Sequence, residues 1–215
     1  MPKLRVAIIP VSPFQQNCSL GCDVETRRGV VVDPGHDVDR IMAAIGKLEL
    51  KIEMILLTHG HIDHAAGAEE LRGKIGVEVV GPHKDDQFLM DNLAVRGLDF
   101  GMKGCRNVTP DRYLGDGDVV EAAGFTFEVV HAPGHSPGSV VFFNRASKFA
   151  LMGDVLFKNS IGRTDLPGGN HETLLRSIRE KILPLGDDVE FLPGHGEGSR
   201  IGDERINNPF LNGRA

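Results

Sequence analysis

Thr58-His59-Gly60-His61-Ile62-Asp63-His64 is the stretch that decides how this sequence folds and what it binds. It follows directly on the apolar run Ile52-Glu53-Met54-Ile55-Leu56-Leu57. A short aliphatic and β-branched run of this kind is typical of a buried strand. Three imidazoles and a carboxylate then stand at the carboxyl end of that strand. The stretch therefore predicts a metal site.

The spacing within the stretch assigns its side chains to two ions. Side chains two residues apart in extended chain face the same way, so His59 and His61 are placed to bind one cation, and Gly60 leaves room for the backbone. Asp63 and His64 are adjacent and diverge from that pair, so they suit a second cation beside the first. Imidazole and carboxylate are ligands that zinc accepts, at about 2.0 to 2.2 Å.

Three later turns each carry one more candidate ligand after an apolar run. They are His135, in the turn that follows 127–130; Asp154, after 149–152; and His195, after 189–192. Glycine and proline fix bends there that let a side chain point back over the sheet edge. Alone, each residue is more often a hydrogen-bonded loop residue or a cap. Together with the stretch 58–64, they predict one site.

The order of these motifs resembles that of the metallo-β-lactamase superfamily: T-H-x-H-x-D-H, a later G-H, an Asp after a strand, and a final G-H. The resemblance covers nearly the whole chain and implies an α/β fold, a four-layer αββα sandwich with the metals at one edge between two sheets. It implies seven metal ligands, three to a first ion, three to a second and one bridging both: His59, His61 and His135; Asp63, His64 and His195; and Asp154.

Four shorter stretches resemble small bacterial glyoxalase II-like hydrolases. They are Asn17-Cys18-Ser19, Val32-Asp33-Pro34-Gly35, Gly153-Asp154-Val155-Leu156-Phe157 and Gly162-Arg163-Thr164-Asp165. This resemblance implies hydrolysis of a thioester such as a hydroxyacylglutathione. Better-known glyoxalase II enzymes have an additional carboxyl-terminal helical region that helps to hold glutathione, whereas this chain ends at Ala215, shortly after His195. Whether glutathione is recognised therefore stays open.

The implied chemistry is hydroxide attack on a carbonyl carbon. Two cations about 3.5 to 4 Å apart bridge a water and lower its pKa toward about 7. We expect a metal to stabilise the developing oxyanion, while Asp63 is both a ligand and the catalytic residue that orients the attacking oxygen. A thiol with a pKa near about 8.5 leaves with little protonation. We expect two divalent metal ions, Zn²⁺ first, with Fe or Mn also suited to these ligands.

In family members, the loop corresponding to Phe157–Pro167 lines the pocket, so we assign Lys158 and Arg163 to substrate binding. Arg163 has two open alternatives. Its guanidinium pairs with a substrate carboxylate, or it pairs with Asp165 and holds a ligand histidine in place.

The main alternative function is persulfide oxidation. Persulfide dioxygenases look similar, share the Gly-Arg-Thr-Asp segment, and hold one iron by two histidines and a carboxylate, which leaves positions for O₂. In this chain that set would be His59, His135 and Asp154. The ligand residues alone do not separate the two functions.

Composition bounds the remaining predictions. With 215 residues, 40% of them hydrophobic, the chain is expected to form a single domain over residues 1–215. A net charge of −6, no Trp and one Tyr argue against nucleic-acid binding. The apolar stretch within 1–10 is too short for a signal peptide, and no stretch is long enough to span a membrane. Three cysteines, read as structural, favour a reducing compartment. We expect a cytoplasmic monomer or small homo-oligomer that acts on a small-molecule substrate.

The predicted elements alternate between strands and helices, which indicates α/β layering. Ten strands are expected at 3–10, 19–26, 29–33, 51–57, 78–80, 119–122, 125–131, 139–144, 149–152 and 190–192. Helices are expected at 38–48, from Asp63 through Leu71, near 85–93 with a loop afterward, and from His171 to Ile182.

Overall fold

Two mixed β-sheets pack face to face, and helices cover their outer faces. This computed structural model describes residues 3–213. Met1, Pro2, Arg214 and Ala215 belong to the predicted single domain of residues 1–215 but lie outside the described residues. That domain assignment stays a prediction.

The first sheet contains the strand that precedes the histidine-rich stretch. Its five strands follow chain order: β1 (Leu4–Val11), β2 (Gln16–Asp23), β3 (Arg28–Val32), β4 (Lys51–Leu56) and β5 (Glu78–Val80). The strands β1, β2 and β3 pair antiparallel, whereas β4 is parallel to both of its neighbours. Parallel strands are covered on both faces, which explains why β4 is so apolar.

The second sheet carries the other three ligand turns. Its six strands are β6 (Val119–Ala122), β7 (Phe125–His131), β8 (Val140–Asn144), β9 (Phe149–Gly153), β12 (Glu190–Pro193) and β13 (Ser199–Arg200), in the spatial order β13-β12-β9-β8-β7-β6. A separate two-stranded hairpin is formed by β10 (Leu156–Phe157) and β11 (Ser160–Ile161).

Seven α-helices occur in the described chain, six between strands and one after the last strand. They are α1 (Val38–Lys47), α2 (Ile62–Ala65), α3 (Ala68–Ile75), α4 (Gln87–Met90), α5 (Leu93–Asp99), α6 (His171–Ser177) and α7 (Ile201–Asn207). After α6 the chain continues helically as a π-turn over Ile178–Ile182 and a 3₁₀ turn over Leu183–Leu185. Among the described residues, no helix is long and apolar enough to cross a membrane.

Three apolar layers separate four layers of secondary structure, as the resemblance implied. The first sheet packs on α1 and α3 through residues such as Ile41 and Leu71. The two sheets meet around Phe127 and Phe142. The second sheet packs on α6 and the turn after it through residues such as Leu174 and Ile178. The predicted αββα sandwich is confirmed.

Two predicted boundaries are wrong for local reasons. The second strand ends at Asp23 rather than residue 26, because the Thr26 hydroxyl donates to Asp23 Oδ2 at 2.8 Å and closes a turn. The helix expected from Asp63 through Leu71 is split into α2 and α3 near Gly67. A Cβ on Gly67 would lie 2.1 Å from the Pro34 carbonyl oxygen, so this close approach needs glycine, which is a poor helix former.

Other elements were missing from the sequence prediction. The loop expected after Leu93 is the helix α5, and β10, β11, β13 and α7 were not predicted. The two-residue strands are too short to show an alternating pattern, and their pairing partners are what define them.

Candidate metal centre

Four strands deliver the seven predicted ligands to one edge of the sandwich. The strands β7 and β9 both run antiparallel to β8, and β12 is parallel to β9, so all three end at the same edge. The first sheet joins this edge where the Val140 amide donates to the Thr58 carbonyl at 2.8 Å. Turns after β4, β7, β9 and β12 therefore meet there, as the repeated strand-turn-donor pattern predicted.

The first cluster of ligand atoms comes from His59, His61 and His135, whose candidate donor atoms lie within 4.8 Å of one another. The His61 Nδ1 and His135 Nε2 atoms are 2.9 Å apart. Two imidazole lone pairs repel at this distance, so a proton or a cation must lie between them. The cluster is buried at His59 and His135.

The second cluster consists of Asp63, His64 and His195, also within 4.8 Å of one another. The His195 Nε2 atom lies 3.1 Å from Asp63 Oδ2. Asp154 lies between the two clusters, because its Oδ2 atom is 3.6 Å from both His135 Nε2 and His195 Nε2. The structure thus brings together all seven side chains.

Orphaned polar atoms test whether this arrangement suits a metal. The Nε2 atoms of His59, His61 and His64 and the Oδ1 atom of Asp154 are buried and have no hydrogen-bond partner within the described chain. The distance between His64 Nε2 and Asp154 Oδ1 is 3.5 Å, too long for a good hydrogen bond. Leaving a buried polar group unpaired costs about 1 to 3 kcal/mol. Cations at the two clusters would satisfy these atoms, so the residues fit a dinuclear metal site.

The protonation of the first cluster also suits metal binding. Burial, with neighbouring imidazoles, lowers the pKa of His59 well below its usual value. Burial and the nearby His135 lower the pKa of His61 to about 3. Burial would raise the pKa of Asp154, but His64 outweighs it and the pKa lies below the ordinary value. Neutral imidazole and ionised carboxylate are the forms that bind metals.

In the second cluster, by contrast, the pKa values of the two histidines are raised. Burial opposes charge on His64, but Asp154 and Asp63 outweigh burial and raise the His64 pKa well above its ordinary value. Burial likewise opposes charge on His195, but the hydrogen bond that its ring donates to Asp63 and the charge of Asp154 raise its pKa. A cation entering this cluster therefore displaces protons.

Asp33 orients two of the candidate ligand histidines, a role that sequence reasoning missed. Its Oδ2 atom accepts from His64 Nδ1 at 2.9 Å and from the Thr58 hydroxyl at 2.6 Å. The Thr58 hydroxyl oxygen lies 3.1 Å from His59 Nδ1 and accepts a hydrogen bond from it. Both rings therefore turn Nε2 toward the centre. The residue stood within the quoted stretch Val32-Asp33-Pro34-Gly35, but only the fold places it beneath the histidines.

Asp86 connects the two loops that carry the first cluster, and it too was missed. This fully buried carboxylate accepts from the Gly60 amide at 2.7 Å, from the Gly138 amide at 2.6 Å and from the Ser136 hydroxyl at 2.7 Å. Burial raises the Asp86 pKa, and the hydrogen bond from Ser136 opposes that shift. Each of these three donors lies within three residues of a ligand histidine, so Asp86 fixes the distance between the loops.

The two residues assigned to substrate binding lie in different environments. Arg163 pairs with Asp165 at 2.6 Å, and its backbone carbonyl accepts from His135 Nδ1 at 2.7 Å. Of the two alternatives for Arg163, the structure has the pairing with Asp165, and the ligand histidine is held through the backbone. Lys158 pairs with Glu197 at 2.7 Å and lines a separate cleft along β1 and β13.

The turn that carries His195 is held from the first sheet. The Asn17 side-chain amide donates to the carbonyls of Pro193 at 3.1 Å and Gly196 at 2.9 Å. A Cβ on Gly194 would lie 2.1 Å from Asp154 Oδ1, so only glycine allows this turn to pass so close to the centre.

The remaining histidines lie outside the seven. His36 bonds to Asp37 and to the Lys103 carbonyl, and His83 stacks on His131 with ring centroids 4.2 Å apart. His131 bonds to the Pro137 carbonyl at 2.8 Å, in the turn that carries His135. His171 begins α6.

The three cysteines are free thiols, and burial raises the Cys18 pKa well above its ordinary value, consistent with a structural role.

A cavity of about 760 Å³ opens over the centre. The candidate ligands His61, Asp63, His135, Asp154 and His195 line one side of it, which we call the floor. Volumes of about 300 to 1,000 Å³ are typical of small-molecule sites. The cavity therefore reaches both clusters.

Comparison with known proteins agrees with the fold. The sequence is 43% identical to the hydroxyacylglutathione hydrolase GloC of Haemophilus influenzae over 213 residues, which cover 99% of this chain and 100% of that protein. The structure is similar to the crystal structure of BLEG-1 B3 metallo-beta-lactamase, with a TM-score of 0.88, 35% identity, and coverage of 96% of this chain and 99% of that one. It is also similar to TTHA1623 in a di-iron-bound form, with a TM-score of 0.84, 32% identity, and coverage of 96% and 100%.

The sequence profile of the metallo-beta-lactamase superfamily matches residues 11–195, from the end of β1 to the last candidate ligand. This match spans every motif on which the resemblance was based. The chain therefore belongs to the metallo-beta-lactamase superfamily.

Proposed function

We propose that this protein is a metal-dependent thioester hydrolase that releases a hydroxy acid and a thiol, as in hydroxyacylglutathione hydrolysis. One observation carries the proposal: two ligand clusters lie on either side of Asp154 at the floor of a cavity of substrate size. The full-length similarity to the Haemophilus influenzae hydroxyacylglutathione hydrolase supports it.

The metal-holding roles follow the two clusters. His59, His61 and His135 would hold one ion; Asp63, His64 and His195 would hold the other; Asp154 would contact both. When bound, the ions would supply Lewis acidity that brings the pKa of a water toward neutrality and polarises a carbonyl. We propose Zn²⁺ first, with Fe or Mn compatible with the same donors. The di-iron form of TTHA1623 shows that a similar chain holds two irons.

The remaining steps belong to the side chains. Asp63 is ionised at neutral pH, because His64 and His195 hold its pKa below the ordinary value although burial alone would raise it. Its carboxylate accepts a hydrogen bond from the attacking water and orients the oxygen toward the thioester carbon. The new C–O bond forms, the C–S bond breaks, and the proton that the water loses passes through the Asp63 carboxylate to the solvent. The thiolate leaves without needing a general acid, since thiols have pKa values near about 8.5.

Metal content and turnover, measured on one preparation, test the proposal. Elemental analysis should give two metals per chain, and release of thiol from S-lactoylglutathione should be lost on chelation and return on reloading. Chelation should also lower the melting temperature, because the buried ligand atoms lose their partners.

The alternative, a persulfide dioxygenase, predicts a different result in the same preparation. It would bind one iron at His59, His135 and Asp154 and consume O₂ with glutathione persulfide. One iron per chain, persulfide-dependent O₂ uptake and no thioester turnover would overturn the hydrolase.

A further inference from the structure

We propose that the cavity above the metal centre selects thioesters whose acyl group carries a large, uncharged apolar substituent, in preference to the small lactoyl group. This inference rests on the proposed thioester hydrolysis and specifies its substrate. The thioester carbon lies over the floor of the cavity, and the acyl substituent lies against its wall. Four phenylalanines make up that wall, which we call the phenylalanine rim: Phe14, Phe88, Phe100 and Phe157.

The phenylalanine rim is assembled from four separate parts of the chain. Phe14 lies in the turn between β1 and β2, Phe88 in α4, Phe100 directly after α5, and Phe157 in β10. The rings of Phe14 and Phe100 meet edge to face, with centroids 5.2 Å apart. Leu93, Ile161, Leu166 and Pro167 extend the apolar lining. The wall is therefore apolar on several sides rather than along one helix.

These rings remain exposed although they lie together. The exposed fractions of Phe14, Phe88 and Phe100 are 40%, 43% and 42%. Burial of apolar surface is favourable, so an apolar ligand that covers these three partly exposed rings would gain free energy on binding. Clustered exposed apolar residues of this kind mark a binding site.

The charges at the cavity mouth do not favour a charged acyl group. Apart from histidines, the only cationic side chains in the described cavity lining are Arg96 and Arg163. Arg96 pairs with Asp99 at 3.3 Å and lies over the Phe100 ring at 5.3 Å. Arg163 pairs with Asp165 at 2.6 Å. A substrate carboxylate would have to compete with these partners, whereas an apolar group would not.

The phenylalanine rim lies next to the candidate metal ligands in the same cavity. The ring centroids of Phe157 and the ligand His195 are 6.5 Å apart. The Phe88 ring lies close to Gly168, in the loop after Arg163. A Cβ built on Gly168 would be 3.3 Å from Phe88 Cζ. A substituent on the carbon next to the thioester carbonyl would therefore meet the phenylalanine rim while the carbonyl lies over the floor.

A pair of substrates with the same thiol tests this inference. S-Mandeloylglutathione and S-lactoylglutathione are both 2-hydroxyacyl thioesters, and they differ in a phenyl or a methyl group. We expect kcat/KM to favour the mandeloyl thioester by about tenfold or more, since a single methylene in an apolar pocket is worth about 10-fold or more. The 2-hydroxyisocaproyl thioester, apolar but not aromatic, should also exceed the lactoyl thioester. Each kcat/KM is divided by the rate constant for uncatalysed alkaline hydrolysis of the same thioester. This corrects for differences in the intrinsic reactivity of the thioesters.

Variants then locate the preference. Phe88→Ala and Phe14→Ala should each reduce the mandeloyl-to-lactoyl ratio of kcat/KM toward one. Val119→Ala is the matched control, because Val119 is an equally exposed apolar residue, at 47%, on β6 and outside the cavity lining. It should leave the ratio unchanged.

Each outcome decides the inference. A wild-type ratio at or below one, or a ratio that survives both Phe variants, overturns the acyl preference while the hydrolase stands. Absence of turnover with every thioester in protein carrying two metals overturns the hydrolase and the preference together. A third outcome is that the protein is a dimer, that Phe88→Ala dissociates it, and that the wild-type mandeloyl-to-lactoyl ratio is one. The phenylalanine rim would then be a contact between copies of the chain, and the inference would be wrong.

Discussion

The floor and the mouth of the cavity are built on opposite principles. At the floor, charged side chains are buried, and the carboxylates of Asp33 and Asp86 accept six hydrogen bonds between them, three each. At the mouth, Phe14, Phe88 and Phe100 are each about two-fifths exposed and make apolar contacts.

The difference shows which part can vary. A buried carboxylate that loses a partner leaves an unpaired polar group, which is costly, so the geometry of the floor is rigidly specified. An exposed ring can be exchanged for another side chain at little cost to folding. We therefore expect changes at the floor to affect metal binding and stability, and changes at the mouth to affect only the choice of substrate.

Asp154→Ala should give the largest effect. Its loss removes the carboxylate that lies between the two clusters, so turnover should fall by more than about 1000-fold, the upper range for loss of one oxyanion-stabilising group. Elemental analysis should show fewer than two metals per chain. The control is His36→Ala, whose ring lies outside both clusters and whose turnover should stay near that of the wild type. Equal activity in the two variants would reject the assignment of the centre.

Asp33→Ala should be next, with effects on both stability and metal binding. It leaves His64 Nδ1, the Thr58 amide and the Thr58 hydroxyl without their partner. We expect the free energy of unfolding to drop by about 3 to 5 kcal/mol, as for other broken buried pairs, and metal affinity to fall about 10- to 100-fold. Denaturant unfolding and metal titration measure these quantities. Asp39→Ala, at a side chain 91% exposed, is the control. A stable, fully metallated Asp33→Ala protein would show that the floor is less rigid than we infer.

Asp86→Asn tests the link between the two ligand loops with almost no change in size. The substitution replaces one carboxylate oxygen by an NH₂ group, which donates and therefore cannot accept from the surrounding N–H and O–H groups. We expect this to lower the free energy of unfolding by about 1 to 3 kcal/mol. Metal affinity should fall by about tenfold. The neighbouring Asp85→Asn is a matched control in the same turn, because the Asp85 side chain is 50% exposed. Identical metal affinity in the two variants would mean that Asp86 holds the fold but not the ligand spacing.

The smallest effects should come from the two cations first assigned to substrate binding. Arg163→Ala removes an exposed pair with Asp165 but keeps the backbone carbonyl that accepts from His135. Exposed pairs are worth about 0 to 1 kcal/mol, so we expect KM to change by less than about fivefold and kcat to stay constant. Lys158→Ala should be silent, because its ammonium pairs with Glu197. A larger rise in KM for either variant would show that the mouth binds substrate through charge.

Much of the floor was readable from local patterns. The stretch 58–64 carries its ligands at fixed spacing after a strand, and the three later turns repeat one arrangement of strand, bend and donor. Such patterns depend on the geometry of extended chain and tight turns, which neighbouring residues determine. For the same reason the family and the sandwich were predictable, and they are confirmed.

What the sequence did not reveal depends on contacts between distant segments. Asp85 and Asp86 are indistinguishable as neighbouring letters, but only Asp86 is buried, between loops 26 and 52 residues away. Likewise the four rings of the phenylalanine rim come from four elements that have no pattern in common.

The sequence by itself therefore determined the layered fold and the family and predicted the candidate ligands, because each of these depends on short-range spacing along the backbone. Only the tertiary structure decided which carboxylates hold the candidate ligands and which side chains line the cavity. Burial and hydrogen bonding across long separations are properties of the packed chain, and no local pattern specifies them.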